Sequence, residues 1–478
     1  MKSIKYLLLL FLLVFCIVLL VYRDVVVDEG VCLFAARLIS HGKLPYIDFA
    51  NVQGPMYSIF YGLFNILFGQ DIYVNRFITL SFGLAGLFLG GRIAQEIGKE
   101  IAENIYYLFC ITSVYMLVHY VAIVTYGLAL FFLMLSMYLA INKNQIILSY
   151  LALLIAASVR LSIFFAVPIT IVYFFVRSEN KKQTFFSILS VTFLFFIVVF
   201  FPFIYKSYDM FSYNIVGSHI TVIPFVVRLQ GIAHTFFVNM KEMTIFALIF
   251  FSSFIYLIKT KTEYKREMLF LLSIVLAVFI IHLFPVNAGS YYNVLLFPIL
   301  FVISGSIFSE VLKNKKHIIP GLIIITMFFM INLTEQIKLV QKHRLIQSYK
   351  PIEKINQVAG YIKQELKKDE ILLSFNTLIA VQSNAILPTE FAEDCFSYKG
   401  DWSIDKCKKY KRVNNEIFMD YVSDEGIRLI ALGDFDLHQF GPDKKNILKK
   451  MEKEGFVFAK KFENFGQWHD NLYIFTRK

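Results

Sequence analysis

Charged side chains are what this sequence has least of. Asp, Glu, Lys and Arg make up 17% of its 478 residues, while hydrophobic ones make up 57%. Soluble chains run at about 45–50% apolar, so a single water-soluble globule is excluded. Small residues are missing where the first apolar run ends. Lys2, Lys5 and the run 6–22 lead into Val21-Tyr22-Arg23-Asp24, a poor signal-peptide cleavage site, so the run reads as a retained first span. No internal repeat is apparent, and residues 350–478 contain no GxGxxG, P-loop or metal-ligand spacing. Cysteine is scarce, at five. Cys16 and Cys110 fall in apolar blocks and Cys32 lies just past the first one. Cys395 and Cys407 sit near the C-terminus, where an oxidising exterior permits a Cys395–Cys407 disulfide.

What is present is membrane. Eleven apolar blocks can be placed, at 6–22, 77–93, 104–120, 123–141, 145–159, 162–176, 184–203, 243–259, 268–284, 292–309 and 317–333. The net charge of +12 does not mark a nucleic-acid binder, because most bases before residue 320 fall in short gaps between these blocks. Every second gap is basic: Arg92 and Lys99, then Lys143, then Arg177, Lys181 and Lys182, then Lys259, Lys261, Lys265 and Arg266, then Lys313, Lys315 and Lys316. That is the positive-inside pattern. Eleven spans then put four segments outside: the loop with Asp28 and Asp48, the loop Tyr205–Glu242, the loop Asn287–Tyr292, and everything from 334 onward. The apolar stretch Pro55–Phe68 would invert this order as a twelfth span. It reads as a juxtamembrane helix at the outer face, with a re-entrant hairpin or an extra pair of short spans as the alternative.

The expected fold class is a polytopic α-helical membrane protein with about eleven transmembrane helices and outer juxtamembrane helices, plus a small C-terminal α/β extracytoplasmic domain. The division falls at 1–340, with a first outer loop at 23–76, and 341–478. In the second part, Pro351–Lys368 carries Ile352, Ile355, Val358, Ile362 and Leu366 on one helical face. Ile371–Phe375, Ile427–Leu432, Phe456–Phe462 and Leu472–Thr476 read as strands, and Lys444–Lys453 as a helix. This domain suits covering a catalytic face or holding an acceptor.

Acids, glycines and prolines crowd into one stretch, DVVVDEGVCLFAARLISHGKLPYIDFANVQGP, from Asp24 to Pro55. Asp28 and Glu29 stand about one turn beyond the membrane exit. Val31, Ala35, Leu38 and Ile39 follow on one helical face, and Gly42 and Pro45 end the run. An acid at the mouth of a bundle has a low-dielectric wall beside it, which tunes its proton affinity as a general base requires. The combination D-E-G, then G-K-L-P-Y-x-D-F, then G-P and an aromatic run ending in F-G, over Asp28–Arg76, resembles the first outer loop of the GT-C glycosyltransferases. Within them it is most similar to the family 39 protein mannosyltransferase-like and the aminoarabinose and lipid-A transferase-like enzymes. Weaker echoes lie at Ala156–Pro168 and Pro285–Pro298.

The resemblance implies an inverting transfer from a polyprenyl-phosphate-linked sugar to an envelope lipid, polysaccharide or protein, with Asp28 as base and Glu29 orienting it or contacting a metal. Those relatives place a second acid in the loop after the third span. Here that loop, His119–Gly127, has none, and Asp48 is the substitute. They also carry a base just after D-E and a later Lys-Pro-Pro, where this chain has Gly30-Val31 and Gln53-Gly54-Pro55. Phosphate or substrate contacts must therefore come from elsewhere on the outer face. Arg160, in S-V-R-L-S between two short spans, is such a candidate because an ionisable group bounded by apolar segments is functional by default. His219 and Arg228 in the long outer loop, and Tyr291 and Tyr292 ahead of Pro298, are the others.

No ligand spacing enforces a metal, although Asp28, Glu29 and His219 suit a divalent cation. A flippase of polyprenyl-linked glycans is the competing function. It predicts polar groups near the bilayer midplane and an inverted repeat, whereas the polar residues here pool at outer ends. A membrane-tethered assembly protein leaves the acidic loop unexplained. The expected setting is a bacterial plasma membrane, with active face and C-terminal domain outside and no nucleic-acid partner.

Overall fold

The structure is a computed structural model that describes residues 2–219, 264–282, 290–313, 351–466 and 469–478, with positions 226, 227, 230, 251, 255, 256 and 330 between them. Helix α1 (Lys2–Tyr22) is apolar on every face and stands almost free, with 11% of Ile4–Tyr22 buried. Exposed Leu7, Leu10, Phe11 and Val14 along it need a hydrocarbon solvent. After α2 (Val27–Ser40) and α3 (Pro55–Phe68), the chain enters α4 (Ile72–Thr112), which is 41 residues long. This helix is two helices. Lys99 has φ 66° and ψ −164°, and the Tyr107 hydroxyl donates to the Phe88 carbonyl at 3.5 Å across the break. The chain therefore doubles back at Lys99, and Gly90 and Gly91 leave room for the Tyr106 and Tyr107 rings.

Helices α5 (Val114–Val121) and α6 (Thr125–Ile141) meet at a 104° bend. Then come α7 (Ile146–Val159), α8 (Ala166–Arg177), α9 (Lys181–Val199), α10 (Phe201–Ile215), α11 (Lys265–His282) and α12 (Phe297–Lys313). Three described helices are long and apolar enough to cross a membrane: Ile4–Tyr22, Ile72–Thr112 and Lys181–Val199. The bent pair α5–α6 is a fourth if it is one span. The expected count of about eleven is therefore not reached among the described residues. Blocks 145–159, 162–176 and 292–309 form shorter apolar helices, and blocks 243–259 and 317–333 lie outside or almost wholly outside the described residues. Helix α3, at 14 residues, is about 21 Å long, too short for a hydrocarbon core of about 30 Å. Its Leu63, Ile66, Leu67 and Phe68 face outward.

The bases of alternate gaps meet at one end of the bundle. Lys5 pairs with Glu103 at 2.7 Å, and the Asn142 amide donates to the Arg92 carbonyl at 3.3 Å. Arg177 caps α6 by donating to the Ala140 carbonyl at 2.7 Å, while Lys99 lies over the Tyr264 ring. The Ser309 hydroxyl of α12 reaches the Gly98 carbonyl at 2.6 Å. Six separate stretches of chain thus bring their polar residues to the end opposite Asp28.

The C-terminal part is a four-stranded sheet in the order β1-β2-β4-β3. Strand β1 (Ile371–Ser374) runs parallel to β2 (Ile427–Gly433), and β4 (Asp470–Arg477) is antiparallel to both β2 and β3 (Phe456–Phe465). Helix α13 (Pro351–Glu365) buries Ile352, Ile355, Val358 and Ile362, the face that its sequence period marks. Helix α14 (Thr377–Ser383) lies against α2. There the Arg37 guanidinium donates to the Ala380 carbonyl at 2.9 Å, and a Cβ on Gly30 would stand 2.7 Å from the Thr377 hydroxyl. Helix α2, expected to bury one face, therefore buries Glu29 through Leu38 without a gap. It is clamped between the bundle and this domain.

Cys395 and Cys407 are both free thiols, so the expected disulfide is not formed. Each is buried in its own surroundings, Cys395 among the carboxylates of Asp394 and Asp436, and Cys407 beside Asp401, Lys406 and Arg412.

Buried acids give this domain an unusual pH dependence. Burial pushes Asp394 up to about 6 and Asp436 up to about 7, against hydrogen bonds that favour their charged forms. An acid whose pKa is raised on folding loses stability as pH climbs from its unfolded value through its folded one. The window here runs from about 4 to about 7, and each pKa unit is about 1.4 kcal/mol. Both tryptophans, Trp402 and Trp468, lie in this part of the chain, so tryptophan fluorescence reports its melting. The midpoint should be higher at pH 5.5 than at pH 7.5. A rise with pH instead would show that these two acids do not govern the domain's stability.

Candidate active site

The end of the bundle opposite the basic gaps is organised by Glu29. Its side chain accepts from the Val26 backbone N–H at 3.2 Å and closes the first turn of α2, where an acid also meets the positive end of the helix. Arg76, from the first turns of α4, grips the same carboxylate with Nε to Oε1 at 2.9 Å and Nη2 to Oε2 at 2.8 Å. Its remaining donors reach the carbonyls of Leu20, Arg23 and Asp24, so all of its N–H groups are used. Arg23 adds an ion pair at 3.1 Å, and the Ile123 N–H donates to Oε1 at 3.1 Å. Burial alone would raise the Glu29 pKa, but Arg76, Arg23 and these hydrogen bonds bring it down to about 2. Glu29 is a fully engaged structural anion. The acid-free loop after the third apolar block serves here by its backbone, at Ile123.

Asp28 is one residue earlier and differs in every respect. Its carboxylate has no hydrogen-bond partner among the described residues. Burial raises its pKa, the Arg160 charge opposes that rise, and the Glu29 charge adds to it. Two adjacent acids are thus driven apart, one locked as a carboxylate and one made more basic.

Arg160 stands where α7 ends. Its guanidinium lies 4.2 Å from the Tyr126 ring centre and 5.2 Å from that of Tyr292. Nη1 donates to the Thr125 hydroxyl at 3.0 Å, and Nε is buried without a partner among the described residues. The loop 45–54 packs beside it. A Cβ on Gly54 would lie 1.9 Å from the Ser158 carbonyl oxygen, so only glycine permits this approach. Gly54→Ala should cost about 1–3 kcal/mol by overpacking and lower the melting temperature of the purified protein. An unchanged melt would mean that the loop is not seated on Ser158.

The same loop is held from three sides. Tyr46, in the left-handed region at φ 62°, buries its ring between Phe203 and Phe211 of α10, and its hydroxyl donates to the Gln53 carbonyl. His219 donates from Nε2 to the Val52 carbonyl at 3.0 Å, and burial and the Arg160 charge both lower its pKa. Glu393, from the C-terminal domain, accepts from the Val52 N–H at 2.9 Å. Its neighbour Asp394 accepts from the Thr377 N–H and hydroxyl at 2.8 and 2.9 Å, and Thr377 rests on Gly30. The two acids buttress the chain on either side of Asp28.

Asp28, Arg160, His219 and Tyr292 thus gather at one end. Asp48 does not join them through any contact of its own, since its carboxylate accepts from the Leu44 N–H at 2.7 Å and closes a local turn. Arg228 and the side chain of Tyr291 lie outside the described residues. Two guanidinium groups already take up Glu29, one of the trio Asp28, Glu29 and His219. Among the described residues no three His, Cys, Asp or Glu side chains converge on one point. Sequence reasoning missed Arg23, Arg76, Glu393 and Asp394. Glu29 and Arg76 are 47 residues apart and Glu393 is 341 from Val52, so no local spacing marks them. The available signal was that an acid at a membrane mouth, once buried, needs a cation.

No protein-family model and no curated protein sequence matches the chain. Solved structures do. ArnT from Cupriavidus metallidurans, solved bound to undecaprenyl phosphate, superposes with a TM-score of 0.62 at 12% identity. The match covers 98% of this chain and 97% of that one. Its apo form matches equally well, at 11% identity. The oligosaccharyltransferase of Archaeoglobus fulgidus, solved in complex with Zn and sulfate, has a TM-score of 0.54 at 12% identity over 99% of this chain and 73% of that one. The chain therefore shares its fold with ArnT and with the archaeal oligosaccharyltransferase.

Proposed function

We propose that the protein is an inverting glycosyltransferase that moves a sugar from a polyprenyl-phosphate donor to an acceptor hydroxyl on a cell-envelope lipid, polysaccharide or protein. The observation that carries this reading is the divergence of Asp28 and Glu29 with Arg160 beside the free acid. Asp28 takes the proton of the acceptor hydroxyl. The acceptor oxygen forms a bond to the anomeric carbon as the bond from that carbon to the phosphate oxygen breaks. The polyprenyl phosphate leaves with the electron pair, and a fixed cation in a partly dry site stabilises it most at that moment. Arg160, stacked on Tyr126 and Tyr292, is the residue placed to do this, and Glu29 holds the first turn of α2 so that Asp28 keeps its position.

Orientation follows from the basic gaps. Their gathering at the end opposite Asp28 favours the reading that Asp28 and the C-terminal domain face outward from a bacterial plasma membrane. A donor there carries its own lipid anchor, as the undecaprenyl phosphate in the ArnT structure does.

The test is transfer of labelled sugar from a panel of synthetic polyprenyl-phosphate sugars to host envelope extract by the full chain in detergent. Transfer from at least one donor is expected. Donor movement across reconstituted vesicles without any turnover would replace this reading by the flippase. The pH profile tests Arg160. Because the Arg160 charge lowers the Asp28 pKa, Arg160→Met should move the acid limb of the profile to higher pH as well as slow transfer. A limb that stays in place would separate Arg160 from Asp28.

A further inference from the structure

The C-terminal domain buries a cation that the chemistry above does not use. Arg412 is 2% exposed. Its Nη2 donates to the Asn214 side-chain carbonyl of α10 at 3.2 Å, while Nε and Nη1 are buried with no partner among the described residues. The Lys399 backbone N–H donates to the Val413 carbonyl at 2.7 Å, beside Arg412. Burial and then the guanidinium charge lower the affinity of its side chain for a proton, and its ammonium makes no hydrogen bond or ion pair to a described residue. Glu393 feels both positive charges but comes within ion-pair distance of neither, and its carboxylate is turned to Val52.

Two cations held together with orphaned donors are costly unless an anion completes them. The Tyr213 ring lies on one side, tilted by 40° against the Tyr410 ring at 4.3 Å. Through Glu393 the cluster is one residue removed from the loop that flanks Asp28.

We propose that Arg412 and Lys399, with Asn214 and Tyr213, form an anion-binding subsite that holds a phosphate or carboxylate group of the acceptor, so that a hydroxyl elsewhere on that acceptor faces Asp28. This rests on the glycosyltransferase reading for the identity of the ligand, but not for the existence of the site. The guanidinium is closed off from water here, so entry of the anion parts the segment 399–412 from α10. A guanidinium whose Nε and Nη1 have no partner among the described residues suits a bidentate oxyanion.

The first arm of the test needs no turnover. Acetylation of Lys399 in the full chain is followed by peptide mass spectrometry with inorganic pyrophosphate or with sodium chloride at equal ionic strength. Pyrophosphate should slow Lys399 labelling several-fold, chloride should not, and Arg412→Gln should abolish the protection while Arg412→Lys keeps part of it. Equal labelling in both salts would overturn the site.

The second arm compares acceptors with and without the anionic group. In Arg412→Gln, KM for the anionic acceptor should rise about tenfold, the loss expected for one charge-assisted contact, and the preference over the uncharged acceptor should shrink. A rise in the donor's KM instead would assign the anion to the donor phosphate and overturn the acceptor placement. Protection of Lys399 in a protein that transfers no sugar would leave the subsite standing and sink the glycosyltransferase reading.

Discussion

Asp28→Asn should reduce sugar transfer by about 10²–10⁴-fold, the span of a general base, and leave the protein folded. The two halves of this expectation have separate physical grounds. Asparagine keeps the shape of the side chain but cannot take the acceptor's proton, and no neighbour stands ready to replace it. Glu29 is pinned near pKa 2 between Arg76 and Arg23, while Asp48 is spent on its own turn. Stability is spared because the Asp28 carboxylate makes no bond to a described residue, and burial already disfavours its charge. The melting temperature of Asp28→Asn should therefore equal or exceed that of the wild type near neutral pH. Turnover near the wild-type rate would end the assignment of Asp28 as base. A collapse of folding would show that Asp28, like its neighbour, holds the structure.

Glu29→Ala should do the opposite. Removing one partner of a buried ion pair costs about 3–5 kcal/mol, because the charge left behind is uncompensated. Here two guanidinium groups are left, Arg76 with no accessible surface and Arg23 with 5%. The Ile123 N–H and the first turn of α2 lose their acceptor as well. Detergent-solubilised Glu29→Ala should therefore melt well below the wild type or fail to elute as a single species, whatever the substrate. Arg76→Ala should share most of that defect. The double variant should cost less than the sum of the two, since they remove one interaction. Full additivity would mean that Glu29 and Arg76 act independently, contrary to the 2.8 and 2.9 Å contacts between them.

Local pattern carried the sequence reading a long way where chemistry is local. The stretch Pro55–Phe68, set apart by Gly54-Pro55 and Gly69, is a helix with those bounds. The four strands of the C-terminal domain lie where β-branched and aromatic runs put them. The adjacent acids were legible as an unusual pair at a membrane exit. What separates them was not legible, because the guanidinium groups that fix Glu29 and tune Asp28 arrive from Arg76 and Arg160, on other helices. Helix α2 misled for the same reason. Its apolar period marks one face, yet the second face is covered by α14, which enters some 340 residues later. The count of eleven spans is not reached among the described residues on a different ground. Several apolar blocks form helices shorter than a span, whereas the reversal of α4 at Lys99 falls in the basic gap between blocks 77–93 and 104–120. The cysteine pair shows the limit of permissive arguments. An oxidising exterior allows a bridge, but Cys395 and Cys407 pack into separate sites.

Direct displacement at the anomeric carbon by a hydroxyl activated on Asp28 is the centre of this account. NMR of the transferred sugar tests it most directly, by comparing the anomeric configuration of the product with that of a synthetic polyprenyl-phosphate donor turned over by the full chain. The account predicts inversion in every product molecule. Retention would require a covalent sugar–enzyme intermediate on a second nucleophile, and would contradict the role given to Asp28.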